Sequence, residues 1–193
     1  YFGGGFTQTS DGTVVLGHIA RFDTTTSAWY TLPNSGLNGD VTGLTVSGDV
    51  LYAGGNFTQT GDKALSVGHI ARFDTTGASW SALPNQGLDN YVSAIAVMDN
   101  DVYAGGQFGQ TGDGTLTNLG HIARYDSAAD TWNALPSQGL NNWVYALTVA
   151  GDDLYVGGNF GATGDQSPPF VSRIARYGDY EYKYVVYLPL VMR

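Results

Sequence analysis

The chain has 193 residues, a formal net charge of −9 and 28 glycines. Charged residues are 13% of it, about half the usual ~25%, and of the seventeen acids only Glu181 is not Asp. A surface short of Glu and Lys excludes an amphipathic helical protein, the negative balance excludes nucleic acid as a partner, and 42% hydrophobic residues exclude a disordered chain. Cys is absent, so there is no disulfide framework or thiolate site. The longest apolar run, Val185–Met192, is broken by Pro189 and is far shorter than the ~20 residues that cross a bilayer. No signal peptide opens the chain, and a start at Tyr1 is expected of a processed or excised product.

Along the chain the same elements return. YFGGGF at 1–6 recurs as YAGGNF at 52–57, YAGGQF at 103–108 and YVGGNF at 155–160. GHIARFD at 17–23 recurs at 68–74, as GHIARYD at 120–126, and altered as SRIARYG at 172–178. Trp29, Trp80 and Trp132 follow at a fixed offset, then Leu32-Pro33, Leu83-Pro84 and Leu135-Pro136. The fourth copy has Leu188-Pro189 but no Trp; Tyr184 or Val185 takes that place.

Each copy predicts four short strands. Strand A, at 41–46, 92–97 and 144–149, alternates apolar with small or polar residues, the period of a strand. Turns follow at 47–49, 99–101 and 151–153. Strand B is 51–57 and its equivalents. A loop of Thr, Gly and Asp leads to strand C, the His-Ile-Ala-Arg-Phe segment. A turn at 74–77 precedes strand D, around Trp80–Leu83, and 84–87 links to the next strand A. Almost no helix is expected. A single antiparallel sheet cannot bury both faces, and four-stranded units of this length stack as β-propeller blades; a parallel β-helix has shorter coils. The expected fold is therefore all-β. It is a single β-propeller-type domain over 1–193, with repeats starting near 1, 52, 103 and 155. It has about four blades, the first lacking its innermost strand. The glycine pairs Gly3-Gly4, Gly54-Gly55, Gly105-Gly106 and Gly157-Gly158 are expected to make flat seats for the indoles of Trp29, Trp80 and Trp132.

A Gly-Gly pair after a hydrophobic strand, followed by an aromatic and a Trp seven positions apart (Phe22–Trp29, Phe73–Trp80, Tyr125–Trp132), resembles the kelch repeat. The fuller pattern looks closer to a family of bacterial secreted propeller repeats. These are similar in turn to the propeller of fungal cell-polarity surface markers. The resemblance implies blades, and a scaffold, adhesin or, in a few relatives, an enzyme. The tail 184–193 looks like the ends of some bacterial secreted proteins and implies an extracellular or cell-surface location.

Most candidate sites repeat with the scaffold. His18, His69 and His121 invite a metal or general-base role, but each occupies one repeat position, where the fourth copy has Arg173. A catalytic centre needs one asymmetric cluster, so a structural role is expected. Arg21, Arg72, Arg124 and Arg176, with Asp23, Asp74, Asp126 and, approximately, Asp179, are expected to pair between blades; an arginine ring for substrate is the sharper alternative. The turns Asp99-Asn100-Asp101 and Asp152-Asp153 raise calcium, but calcium wants six to eight oxygens and Asp and Asn are ordinary turn residues. No cofactor is otherwise expected. There is no phosphate loop and no Gly-x-Ser-x-Gly element; Asn56-Phe57-Thr58 fits a glycosylation sequon. Tyr91, Trp143 and Tyr145 differ between copies and are the binding candidates, for stacking on sugars or anchoring a protein; capping the core is the plainer role.

The missing strand A leaves an open edge. The chain is then a fragment, or the hydrophobic tail 180–193 closes the array, or another copy supplies the strand, head to tail, as a ring or filament. The expected function is an extracellular structural or binding propeller that is not an enzyme. It would be a self-associating scaffold, adhesin or filament subunit with itself, surface proteins or glycans as partners. A carbohydrate-binding propeller is the alternative.

Overall fold

A computed structural model describes residues 1–166 and 173–178. Asp179 and the tail 180–193, with Tyr184, Val185 and Leu188-Pro189, lie outside the described residues. The fold is all-β. The first sheet is β1 (Phe2–Gly3), β2 (Ile19–Asp23) and β3 (Ala28–Thr31). The second is β4 (Val41–Ser47), β5 (Val50–Gly55), β6 (Ile70–Asp74) and β7 (Ser79–Ala82). The third is β8 (Val92–Met98), β9 (Asp101–Gly106), β10 (Ile122–Asp126) and β11 (Thr131–Ala134). The fourth is β12 (Val144–Ala150), β13 (Asp153–Gly158) and β14 (Ile174–Gly178). Neighbours in sequence pair antiparallel throughout. These are propeller-type blades, and the first lacks the inner strand that β4, β8 and β12 supply to the others. Single 3-10 turns at Pro33–Ser35, Pro84–Gln86 and Pro136–Gln138 are the sole departures from strand and loop among the described residues.

The sheets stack in chain order through their inner strands, and the core lies in the layers between them. Residues i and i+2 of a strand share a face, so each sheet has a rear face toward its predecessor and a forward face toward its successor. Between the second and third sheets, Tyr52, Ile70 and Leu83 pack with Val92, Ile95, Val102, Tyr125 and Trp132. Equivalent clusters lie between the other neighbours. Burying several such side chains at about 1.5–3 kcal/mol each gives every layer the apolar interior that no single sheet has.

The glycine pairs serve a different purpose from the one expected. A Cβ on Gly54 would lie 2.6 Å from Val92 Cγ1, and one on Gly3 or Gly105 would collide with Val41 or Val144. The first glycine of three of the pairs, Gly3, Gly54 and Gly105, is thus a notch for the valine that opens the next sheet's inner strand. The second, Gly55, Gly106 or Gly158, faces the main chain of its own sheet's inner strand, at Val41, Val92 or Val144. The register there slips by one residue in a bulge between Val41 and Gly43, Val92 and Ala94, and Val144 and Ala146. The tryptophans pack elsewhere. Trp80 sits opposite Phe73 in the ladder, ring centroids 5.0 Å apart, and its Nε1–H donates to the Pro33 carbonyl of the preceding sheet at 3.1 Å.

The linking segments also join the sheets. Isolated bridges tie Leu37 to Thr60, Leu88 to Thr111 and Leu140 to Thr163. The N–H groups of Asp62, Asp113 and Asp165 donate to the carbonyls of Asn34, Asn85 and Ser137 at 2.9, 3.0 and 3.0 Å. Each Pro-containing turn is thereby docked into the Thr-Gly-Asp loop of the next sheet, and Thr60, Thr111 and Thr163 are buried at the joint.

Candidate functional site

His18, His69 and His121 occupy one left-handed turn in successive sheets, at φ 64°, 65° and 63°. The main chain does the work there. His69 donates its N–H to Phe57 O at 2.8 Å and accepts from Gly55 N–H at 3.0 Å. Arg173 holds the same conformation, at φ 61°, with the equivalent bonds to Phe160 and Gly158. His18 Nδ1 lies 3.3 Å from Asp40 Oδ1, and Nδ1 of all three histidines is buried without a hydrogen bond among the described residues. Burial pushes the His69 and His121 imidazoles below their usual 6.5, so both are neutral at physiological pH. Among the described residues no three His, Asp or Glu side chains gather as metal ligands.

The arginines share a position but not a partner, which corrects the expectation of one inter-blade pair with the Asp two residues on. Arg21 lies over the Tyr30 ring, 4.8 Å from its centroid. Arg72 crosses to the third sheet, where Nη1 donates to Tyr125 Oη at 2.8 Å and to Asp130 Oδ1 at 3.0 Å. Arg124 stays in its own sheet with Asp101 and Asp126, at 3.0 and 3.2 Å. Arg176 pairs with Asp153 at 3.2 Å. Asp23, Asp74 and Asp126 instead hold turns: Oδ1 accepts the N–H groups of residues 25 and 26, 76 and 77, and 128 and 129. Backbone donors draw all three carboxyls below the usual 3.8. In the turns considered for calcium, Asp101 and Asp153 already carry these arginines.

Tyr91 and Trp143 precede β8 and β12, at the position of Asp40 in the second sheet. Their carbonyls accept from Gln107 and Asn159 N–H at 2.8 Å each, as Asp40 accepts from Asn56. Tyr91 is half-buried; Trp143 is 42% exposed. Neither ring stacks on another among the described residues. A polar groove of about 400 Å³ is lined in part by Asp89, Gln110, His121, Gln138 and Asn141; neither aromatic is among its lining residues. Tyr145 is 51% exposed. It is the bulge residue of β12, at the position where the second sheet's Thr42 donates its hydroxyl to the Val92 carbonyl of the next sheet at 2.6 Å. Sequence reasoning missed the Pro-turn seats in the Thr-Gly-Asp loops; the recurrence of Asn34 and Asn85 beside the Leu-Pro pairs was their signal.

This geometry is accompanied by similarity to fungal proteins. Over 131 residues, 63% of the chain, it is 28% identical to the polarized growth protein rax2 of Schizosaccharomyces pombe. Over 107 residues it is 32% identical to the polarized growth protein L1 of a Phoma species. A human kelch repeat and BTB domain-containing protein 13 matches at 28% over 118 residues. The chain spans 11% and 8% of the lengths of the two fungal relatives. No family model matches. Among solved structures, the computationally designed Ika8 protein superposes with a TM-score of 0.51 at 14% identity, covering 89% of this chain and 48% of that one. The chain is thus similar, over 55–63% of its length, to polarized growth proteins and a kelch-repeat protein. Among the described residues no helix is long and apolar enough to cross a membrane.

Proposed function

We propose that this chain is a non-catalytic, extracellular or surface-displayed propeller module, of the bacterial secreted kind that its repeats resemble. It acts as a structural scaffold or adhesin that associates with itself. One observation carries this reading. The recurring His, Arg and Asp residues are used in turns and struts, and what varies between copies includes the exposed aromatic Trp143. The fungal relatives, named for polarized growth, support a structural role. Sedimentation velocity over a wide concentration range tests it: assembly is expected to grow with concentration, and a monomer throughout rejects self-association.

A second reading is carbohydrate binding, favoured by Trp143 standing 42% exposed, two residues along the chain from Asn141 of the polar groove. It predicts that a glycan array yields ligands that quench Trp fluorescence. Trp143→Ala then weakens binding about tenfold or more with Tm unchanged; ligands that bind the variant equally well reject this site.

A further inference from the structure

The arginine of the second sheet is used unlike its counterparts. Arg124 and Arg176 are held within their own sheets by Asp101 and Asp153, the first residues of β9 and β13. β5 begins instead with Val50. With no carboxylate there, Arg72 turns to the third sheet, where Nη1 meets Tyr125 Oη and Asp130 Oδ1. Its Nε and Nη2 have no hydrogen-bond partner among the described residues.

Beside this guanidinium lies a cavity of about 570 Å³, within the ~300–1,000 Å³ of small-molecule sites. Its lining falls between Ser47 and Ala128 in sequence, inside the repeats. The ladder sets Tyr52, Arg72 and Ser81 in one row across β5, β6 and β7. Asp74 lies two residues on from Arg72 and shares its face. All four line the cavity, and the third sheet adds Asn100 and Ser127.

Two more polar atoms here are unspent. Tyr52 is 4% exposed, yet its hydroxyl has no partner among the described residues. A hydroxyl so placed is costly to leave unbonded, and this one belongs to a side chain that lines a cavity. Burial chiefly pushes its pKa above the usual 10, so it can both donate and accept. Asp74 Oδ1 is taken by the N–H groups of Thr76 and Gly77 and by the Thr76 hydroxyl. Asp74 Oδ2 has no donor among the described residues.

We infer that this cavity binds a neutral sugar. It offers guanidinium N–H groups that only donate, a carboxylate oxygen that only accepts, and hydroxyl and amide groups that do both. The neighbouring hydroxyls of a sugar ring, each a donor and an acceptor, use all three. An anion is disfavoured: Asp130 already balances Arg72, and Asp74 adds a negative charge on a chain of net charge −9. A flat aromatic ligand finds no ring to stack on, because Tyr52, the one aromatic of the lining among the described residues, is buried. The site shares its ligand class with the second reading above but none of its residues, so either can fail alone.

Saturation-transfer NMR of the full chain with glucose, galactose, mannose, N-acetylglucosamine and their disaccharides tests the inference. At least one is expected to bind with a dissociation constant of about 1 mM or tighter. Tyr52→Phe removes only the unpartnered hydroxyl and is expected to weaken binding about fivefold or more, with Tm unchanged. Val50→Asp gives β5 the aspartate of β9 and β13; it is expected to draw Arg72 back into its own sheet and weaken binding about tenfold or more. Glucuronate and inorganic phosphate are expected to bind no more tightly than the neutral sugar. If none of these sugars binds, the inference is overturned. Binding that either folded variant leaves intact overturns it too; if Trp143→Ala then abolishes that binding, the sugar belongs to the site of the second reading. Tighter binding of glucuronate or phosphate, weakened by the same variants, overturns the ligand class in favour of an anion.

Discussion

Gly54 and Gly157 are the same residue in the repeat with different neighbours. Gly54→Ala drives a methyl group to 2.6 Å from Val92 Cγ1, an overpacking that costs about 1–3 kcal/mol. Among the described residues Gly157→Ala meets nothing nearer than Ala146 Cβ at 3.9 Å, and it stiffens the unfolded chain, so stability is unchanged or gains up to about 1 kcal/mol. Denaturant titration of both variants checks the contrast; equal losses would mean that the notch account is wrong. Arg72 and Tyr125 form a second pair of this kind. Tyr125 Oη also donates to Asp130 Oδ1 at 2.5 Å, while the second sheet manages with Phe73 in the same place. Tyr125→Phe is expected to cost about 1 kcal/mol, and a double-mutant cycle with Arg72→Met to show coupling between them. The positions of these residues were legible in the repeat; their partners were not. Identical arginines take different partners because Asp130 exists in only one copy, where the first two have Ser27 and Ala78, and cross-sheet neighbours follow from register that spacing alone does not fix. The seat assigned to the indoles failed for the same reason: Gly-Gly marks a close approach, but the sequence does not say by which side chain.

At the scale of the element, the loops carry the pH response. Thr9 and Thr13 hold the Asp11 carboxyl at about 2, and Thr115 chiefly does the same for Asp113, both from a usual 3.8. Backbone and side-chain donors also lower Asp62. A carboxyl lowered by folding binds fewer protons folded than unfolded, so its contribution is complete above about pH 4–5. It drains away as pH falls toward 2. The two buried imidazoles act in a separate window. Their lowered values mean that the unfolded chain takes up protons first, so stability falls as pH drops through 6.5. Tm measured from pH 8 to 2 is expected to decline in two stages. The double variant His69→Asn with His121→Asn, which tolerates the left-handed turn, is expected to remove the upper stage alone. A single acid transition in the wild type would contradict this. The strands themselves were legible, since period-2 patterning and turn residues located each of them. The 3-10 turns at the Leu-Pro pairs were read as plain links because their bonds are made to the following sheet.

For the whole molecule, order along the chain is also order in space: each sheet packs on its sequence neighbours through a layer of like composition. That was readable from the four copies, because a unit that cannot cover itself must be covered by its neighbour. The three strands of the first sheet were readable too, since residues 1–31 carry the second, third and fourth strands of a copy. What repetition hid was the asymmetry of the joints, since two unlike halves look the same in a sequence where each copy carries both. The main-chain bridges Leu37–Thr60, Leu88–Thr111 and Leu140–Thr163 have a consequence for how such proteins change over time. Every hinge between modules is sewn by backbone atoms and framed by the same Leu-Pro turn. A gene duplication or deletion of one whole period therefore leaves all remaining seams matched, so the array can lengthen or shorten by integer steps, while a cut within a period spoils two seams at once.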